Sequence, residues 1–306
     1  MRIKTLLLAG LLLASASAVR AEAATFKWAN NGDVTSMDPD TLDETVQLSF
    51  LVNLYEPLMN FNKHMKLSPV LATSWKMTSP TSWVIQLRPN VKFSDGSPFS
   101  ADDVVFSAKR IESKSSQLQN VLATVSNVKK LGPLTVEFDT KRPDPILPFE
   151  MTNFYIMSKA WSEKHAVAVP VVLNGTNKNY ATLHAMGTGP FELVSREPDR
   201  LTVLKANPNW WGKRTSDVDK IEFYVIANDA TRVAALLSGQ VDMIYDTPPQ
   251  DARRIGHTPG FHLITTPEFR TIFLGMDQSR PQLLESNIKG KNPFKDVRVR
   301  RAFLLA

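Results

Sequence analysis

The chain has 306 residues, of which 43% are hydrophobic and 22% are charged, and none is a cysteine. At about 150 residues per domain this length predicts two domains, and the ordinary apolar fraction excludes a disordered, collagen-like or coiled-coil chain. The lack of cysteine excludes disulfide scaffolds, thiolate metal sites and a cysteine nucleophile. The formal charge of +6 would suit nucleic acid binding, but much of it lies near the two ends of the chain.

The first 23 residues have the organisation of a secretory signal peptide. A basic start at Met1–Lys4 precedes an apolar run at Leu6–Leu13 and small residues with A-x-A-like cleavage sites. A transmembrane anchor is the alternative, but this run is well short of the roughly 20 residues that a span requires. We therefore expect an exported chain, cleaved after Ala18, Ala21 or Ala23, with the last two sites favoured.

Strand and helix patterns alternate through the next part of the chain. Thr25–Ala29 alternates apolar and polar residues and predicts a strand, and residues 42–55 carry apolar side chains at helical spacing. Strands are also predicted at Trp83–Leu87 and Thr135–Phe138. Between them, Ser100-Ala101-Asp102-Asp103 resembles a capping box that starts an amphipathic helix. The region is therefore expected to mix helices and strands.

The clearest architecture lies between residues 221 and 246. The sequence predicts two strands and the helix between them, at Ile221–Ile226, residues 230–237 and Val241–Ile244. We expect Asp229 to cap this helix and Gly239 to take the left-handed conformation after it. A strand–helix–strand unit implies parallel strands, and ligands bind beyond the carboxyl ends of such strands. Tyr245 and Asp246 are therefore predicted at the lip of a cleft.

No motif of the sequence indicates catalysis. There is no nucleophile elbow, zinc-protease motif, Walker A loop or dinucleotide fingerprint. Gly187-Thr188-Gly189 is followed by Pro190, so it predicts a tight turn into a strand. Of the five histidines, His257 and His262 lie closest, with a proline and a glycine between them. We expect no metal site, no cofactor and no enzymatic activity, with a secreted hydrolase as the alternative class.

Three polar or aromatic motifs each admit two interpretations. Asn174-Gly175-Thr176 fits an N-glycosylation acceptor or a simple turn, and we favour the turn. Trp210-Trp211 fits a ligand platform or a pair divided between core and surface, and we favour the divided pair. Basic residues between 289 and 301 fit a nucleic acid contact or a solvated helix face. An exported chain seldom meets nucleic acid, so we favour the solvated face.

Short motifs in a characteristic order connect these regions. They are Ser36–Pro39, Tyr55–Leu58, Pro69–Trp75, Leu87–Gly96, Pro98–Ser107, Gly187–Phe191, Asn207–Trp211, Ser238–Asp242 and Asp296–Phe303. In this order the chain resembles the extracytoplasmic solute-binding proteins of family 5, the peptide- and nickel-binding subunits of ABC importers. Each motif is weak by itself, and their order along the mature chain makes the resemblance specific.

The resemblance implies an α/β fold of the type II periplasmic-binding-protein kind, with two lobes and an extra small α+β domain. It implies that residues 24–58 and 186–275 form one lobe, that residues 59–185 form the extra domain, and that residues 276–306 begin the other lobe. Family members are longer, and the last predicted helix reaches Ala306 without a capping residue. We therefore expect a C-terminally truncated chain in which most of the second lobe is missing.

The resemblance also implies a function. The chain would be the periplasmic component of an ABC importer, a monomer that captures di- or oligopeptides and delivers them to permease subunits served by cytoplasmic ATPases. A nickel complex, an opine or an oligosaccharide is an alternative ligand, and a fragment that binds nothing is an alternative outcome. The implied ligand-binding residues are Thr35, Ser36, Met37, Gln117, Tyr245, Asp246, Arg270 and Phe273.

Overall fold

A computed structural model describes residues 24–174, 177–265 and 272–306. The predicted signal peptide, Arg270 and two residues of the Asn174-Gly175-Thr176 motif lie outside these ranges. The chain divides into two compact units, of which the first ends at Arg254 and the second is Ile255–Ala306.

The described residues contain strands and helices in the mixed order that the sequence predicts. The strands are β1 (Ala24–Asn30), β2 (Met59–Phe61), β3 (Leu67–Pro69), β4 (Ala72–Ser79), β5 (Ser82–Leu87), β6 (Val125–Gly132), β7 (Thr135–Thr140), β8 (Phe191–Glu197), β9 (Leu201–Ala206), β10 (Val218–Val225) and β11 (Met243–Tyr245). The helices are α1 (Thr45–Leu51), α2 (Ala101–Ile111), α3 (Leu147–Glu150), α4 (Lys159–Lys164), α5 (Tyr180–Leu183), α6 (Asp229–Leu237), α7 (Pro249–His257) and α8 (Val297–Leu305).

The larger sheet has five strands in the order β11-β1-β10-β9-β8. Strand β1 is parallel to both β10 and β11, so the predicted parallel unit is confirmed, with β1 inserted between its two strands. The rings of Trp28 and Phe223 on the sheet pack at 4.8 Å, and Phe50 of α1 lies 5.0 Å from Phe223. Burying these aromatic side chains holds α1 against the sheet.

The second sheet, β4-β5-β7-β6, is antiparallel throughout. Helix α2 packs against it, with Val104, Ala108 and Ile111 buried in a core that includes Phe138. The capping box is present, because Ser100 Oγ accepts from the Asp102 N–H and Asp103 accepts from the Ser100 N–H. The domain boundaries at residues 59 and 185 stay a prediction.

Several element ends differ from the sequence-based prediction. Helix α1 begins at Thr45 rather than at residue 42, because the Glu44 carboxylate accepts from the Gln47 N–H at 3.0 Å and caps it. The cap of α6 is Asn228, whose Oδ1 accepts from the Thr231 N–H at 2.9 Å, so the prediction of Asp229 is wrong. The shift in α6 is one residue, between two side chains that can both cap a helix, and α1 also ends at Leu51, four residues before the predicted end at residue 55.

The second unit contains α8, whose start was predicted correctly. The Asp296 side chain accepts from the Arg298 N–H at 2.8 Å and caps the helix. The rings of Phe294 and Phe303 pack edge to face at 5.8 Å. On α8, Arg298 and Arg301 are exposed, whereas Arg300 is half-buried and donates from Nη1 to the Phe294 carbonyl at 2.6 Å, so the basic residues do not form a uniformly solvated helix face. None of the helices in the described part of the chain has the length and apolar character needed to cross a bilayer.

Candidate functional site

The candidate site is the edge of the large sheet at which β1, β10 and β11 end. Because these strands are parallel, their carboxyl ends meet there, and Asn30 lies opposite both Val225 and Tyr245 in the register. Tyr245 is 37% exposed, and Asp246 beside it is also exposed. The loop after β1 reaches the same edge and carries Thr35. Parallel sheets bind ligands at this kind of edge.

The loop after β1 is held firmly in place. The Ser36 N–H donates to Gln47 Oε1 at 3.3 Å, and Gln47 Nε2 donates to the Ser36 carbonyl at 2.7 Å. The Met37 N–H donates to the Thr182 carbonyl at 3.0 Å. Ser36 and Met37 are buried, whereas Thr35 is exposed. The N–H groups of Ser36 and Met37 are therefore engaged within the chain, and the exposed member of the predicted trio is Thr35.

A buried ionic cluster joins this loop to α2. Arg110 of α2 is 1% exposed, and its guanidinium donates in a bidentate manner to Asp38, with Nη1 2.8 Å from Oδ1 and Nη2 2.5 Å from Oδ2. Nη1 also contacts Asp40 Oδ2 at 2.5 Å. Two carboxylates share one cation here. Burial is the largest influence on Asp40 and raises its pKa to about 6, with Asp38 adding to the rise and Arg110 opposing it.

Gln117, which the resemblance assigned to the site, lies against the same loop. Its side chain is exposed, and its backbone N–H donates to the Asp40 carbonyl at 3.1 Å. The Ser116 hydroxyl donates to the same carbonyl at 3.0 Å. The segment after α2 is thereby fastened to the loop after β1.

Arg232 is a residue of this edge that the sequence analysis missed. Its buried guanidinium donates to the carbonyls of Ile226 at 2.8 Å and Asp246 at 3.2 Å, which follow β10 and β11. Its Nε and the buried Oδ1 of Asn30 have no hydrogen-bond partner among the described residues. An arginine on the inward face of a predicted helix is the signal that could have identified it, because such a cation requires buried acceptors.

The tryptophan pair serves the interior rather than an open platform. Trp210 Nε1 and Trp211 Nε1 donate to the Glu56 carboxylate at 3.1 and 2.8 Å, and Thr188 Oγ1 donates to it at 2.8 Å. Burial raises the pKa of Glu56, and these three donors oppose that rise. Both indoles are half-buried, so the pair is not divided between core and surface as predicted.

Phe273 belongs to the second unit and is 78% exposed, and Arg270 lies outside the described residues. Within the part of the chain that the structure describes, no three or more histidine, aspartate or glutamate side chains gather as a metal site. Thr35, Gln117, Tyr245 and Asp246 are thus the predicted residues that the first unit exposes along its loop and sheet edge.

Comparison with known proteins assigns the family. The sequence model of the bacterial extracellular solute-binding proteins, family 5 Middle, matches residues 66–306. The chain belongs to this family. This chain is 26% identical over 276 residues to the glutathione-binding protein GsiB of Pectobacterium atrosepticum, and the match covers 88% of this chain and 49% of the relative. It spans about half the length of the curated relatives it matches.

Solved structures share the fold of this family 5 protein. One is the binding protein AgaA of A. tumefaciens R10 in complex with agropinic acid, with a TM-score of 0.70 and 24% identity over 77% of this chain and 46% of the other. Another is the periplasmic binding protein DppA of Helicobacter pylori in complex with the peptide STSA, with a TM-score of 0.68 and 22% identity over 77% and 49% of the two chains. These likenesses show the mixed α/β fold of type II periplasmic binding proteins.

Proposed function

We propose that this chain is the solute-capturing component of an ABC importer and that its solutes are di- or oligopeptides. The observation that carries the proposal is the sheet edge, where Thr35, Tyr245 and Asp246 are exposed beside loops that the protein interior holds in place. A preorganised edge lowers the ordering cost of binding a flexible ligand.

The chemistry of this edge suits a peptide. An extended peptide offers a row of backbone donors and acceptors, together with a charged amino terminus. Asp246 supplies an exposed carboxylate, Tyr245 an aromatic ring with a hydroxyl, and Thr35 a hydroxyl on the neighbouring loop. The peptide-bound DppA structure and the glutathione-binding name of GsiB add support, because both relatives take peptide-like solutes.

We further infer that the protein acts in the periplasm as a monomer and hands its solute to permease subunits coupled to ATPases. The signal-peptide pattern of residues 1–23 and the periplasmic designation of DppA support this inference. Mass spectrometry of the periplasmic fraction from an expressing cell tests it. We expect a mature chain that starts at Glu22 or Ala24, and a leader retained on the protein would contradict the inference.

Thermal unfolding in the presence of defined solutes tests the binding proposal. The probes are trialanine, glutathione, a nickel–histidine complex, mannopine and maltotriose, each added to the purified chain. A ligand at a hundred times its Kd stabilises the folded state by about 2.7 kcal/mol, so we expect trialanine or glutathione to raise Tm. A rise with another probe alone would replace the peptide assignment, and no rise with any probe would contradict binding by this chain.

Two variants locate the response on the structure. Tyr245→Ala should abolish the Tm rise, whereas Phe149→Ala, which truncates a 50% exposed aromatic side chain in the α3 helix, should leave it intact. The recovered peptide is analysed by mass spectrometry after incubation. Intact peptide fits a binding protein, and cleavage products that depend on the chain would favour the hydrolase alternative.

A further inference from the structure

Helix α2 packs on the smaller of the two sheets described above, β4-β5-β7-β6, yet its last turn reaches the loop that borders the candidate site. Val104, Ala108 and Ile111 pack on the smaller sheet, while Arg110 points away from them into the loop after β1. A fully buried guanidinium is costly unless acceptors surround it. The acceptors that surround Arg110 therefore indicate what α2 does in addition to packing on the sheet.

All three nitrogens of the Arg110 guanidinium donate hydrogen bonds. It grips Asp38 with both terminal nitrogens, contacts Asp40 through Nη1, and donates from Nε to the Val167 carbonyl at 3.1 Å. This planar arrangement fixes both distance and angle, which a lysine ammonium cannot do. Arg110 thus determines where Asp38 and Asp40 lie relative to α2.

Short links carry this constraint to the exposed residues. On one side, the Asp38 N–H donates to the Ser36 hydroxyl at 3.0 Å, next to Thr35. On the other side, the Asp40 carbonyl accepts from the Gln117 N–H at 3.1 Å. Thr35 is therefore three positions before Asp38, and Gln117 is hydrogen-bonded directly to Asp40, and Arg110 holds both of these aspartates.

We propose that Arg110 is a positioning residue that sets the separation of Thr35 and Gln117, so that the α2 region defines the geometry of the binding edge. The ligand-facing part of this inference rests on the proposed function. Its structural part does not, since the separation exists without a solute. A well-packed apolar residue can match a buried ion pair in stability, so the arginine is explained better by the geometry it imposes than by stability.

Distance measurements between two spin labels test the structural part. The chain has no cysteine, so Thr35→Cys and Gln117→Cys give two unique labelling positions. Dipolar electron paramagnetic resonance is recorded on this doubly labelled chain with Arg110 and with Arg110→Lys. We expect a narrow distance distribution with arginine and a broad or shifted one with lysine.

A matched control separates positioning from general destabilisation. Arg88 donates from Nε to the Val70 carbonyl at 2.7 Å and lies 3.9 Å over the Trp211 ring, away from these contacts. Arg88→Lys should lower Tm while leaving the distance distribution narrow. An unchanged distribution in folded Arg110→Lys, or equal broadening in Arg88→Lys, would overturn the proposal.

A charge-neutral variant covers the case in which Arg110→Lys does not fold. Arg110→Met combined with Asp38→Asn and Asp40→Asn removes the whole ionic cluster and leaves no buried charge behind. It should fold with a broadened distribution, and a narrow one would overturn the proposal.

Binding is then measured with trialanine and glutathione on chains that keep Thr35 and Gln117. We expect Arg110→Lys to weaken binding by about tenfold, the size of one charged hydrogen bond, and Arg88→Lys to leave it unchanged. If the unsubstituted chain binds neither probe, the proposed function fails while the distance measurement still decides the role of Arg110. If it binds and Arg110→Lys binds equally well, the positioning role fails alone.

Discussion

Asp40 provides a sharp test of the electrostatics behind the candidate site. It is buried beside Asp38, and both carboxylates share the single guanidinium of Arg110. Arg110 donates two hydrogen bonds to Asp38 and one to Asp40, so the negative charge of Asp40 is the less well compensated of the two. Burial is the main reason that its pKa rises from 3.8 to about 6, and Arg110 only partly offsets that rise.

The sign of the effect follows from proton linkage. The folded chain holds a proton on Asp40 at pH values where the unfolded chain has lost it, so this stabilisation is complete below about pH 4 and disappears as the pH rises through about 6. A difference of about two pKa units, at about 1.4 kcal/mol each, corresponds to about 3 kcal/mol. Asp40→Asn cannot ionise and keeps an oxygen that accepts from Arg110.

We therefore expect Asp40→Asn to gain stability relative to the native chain as the pH rises, so that the difference between their free energies of unfolding (variant minus native) increases by up to about 3 kcal/mol between about pH 4 and pH 7. Urea unfolding followed by tryptophan fluorescence at several pH values measures this difference. Asp43→Asn, which neutralises an exposed carboxylate of the same loop, is the matched control substitution. A difference that is flat with pH, or that moves in the opposite direction, would refute the reasoning.

Substitutions at three further features, two of them with a comparison variant, are tested by the same unfolding measurement. Ser100→Ala removes the cap of α2 and should cost about 1 kcal/mol. Glu56→Leu leaves the N–H donors of two half-buried indoles and a buried threonine hydroxyl without their acceptor and should cost about 3 kcal/mol or more, whereas Glu56→Gln should cost less. Gly187→Ala places a Cβ 2.0 Å from the Leu54 carbonyl oxygen and should cost about 3 kcal/mol or more, whereas Gly239→Ala, at φ +74° in open space, should cost about 1–2 kcal/mol.

Each of these expectations has a result that contradicts it. A Ser100→Ala chain as stable as the native one would show that α2 does not depend on its cap. Equal losses for Glu56→Leu and Glu56→Gln would mean that the carboxylate's acceptor role is unimportant. If Gly239→Ala were the more damaging glycine substitution, close packing at Gly187 would not be the reason for that glycine.

Local features of the fold were accessible from the sequence because their causes lie within a few residues. The capping box at Ser100 needs Asp103 three positions later, and the left-handed turn at Gly239 needs only a residue without a side chain. The strand–helix–strand unit that ends at Tyr245 also follows from local patterns. Exact ends were less accessible, as at Asn228 and Asp229, since either side chain can cap a helix.

The sheet edge illustrates the boundary between local pattern and long-range packing. The alternation of residues 221–246 was enough to place Tyr245 and Asp246 at the carboxyl end of a parallel strand, although Tyr245 is the last residue of β11 and not the first residue after it. It could not show that β1 lies between β10 and β11, because strand order depends on pairing between segments nearly two hundred residues apart. Insertion of β1 is what brings the loop carrying Thr35 to that edge.

The amino-acid sequence alone was sufficient for the family, the mixed α/β class and the strongly patterned elements such as β1, β10, α2 and α6, since periodicity and motif order are properties of the chain itself. The burial of charge was settled by tertiary packing. Arg110 meets Asp38 from 72 positions away, and Trp211 meets Glu56 from 155. The sequence around a charged residue is the same whether its charge is hydrated by water or paired inside the folded protein. Folding supplies the partner, and with it both the hydrogen bonds that hold the loop carrying Thr35 and the raised pKa of Asp40.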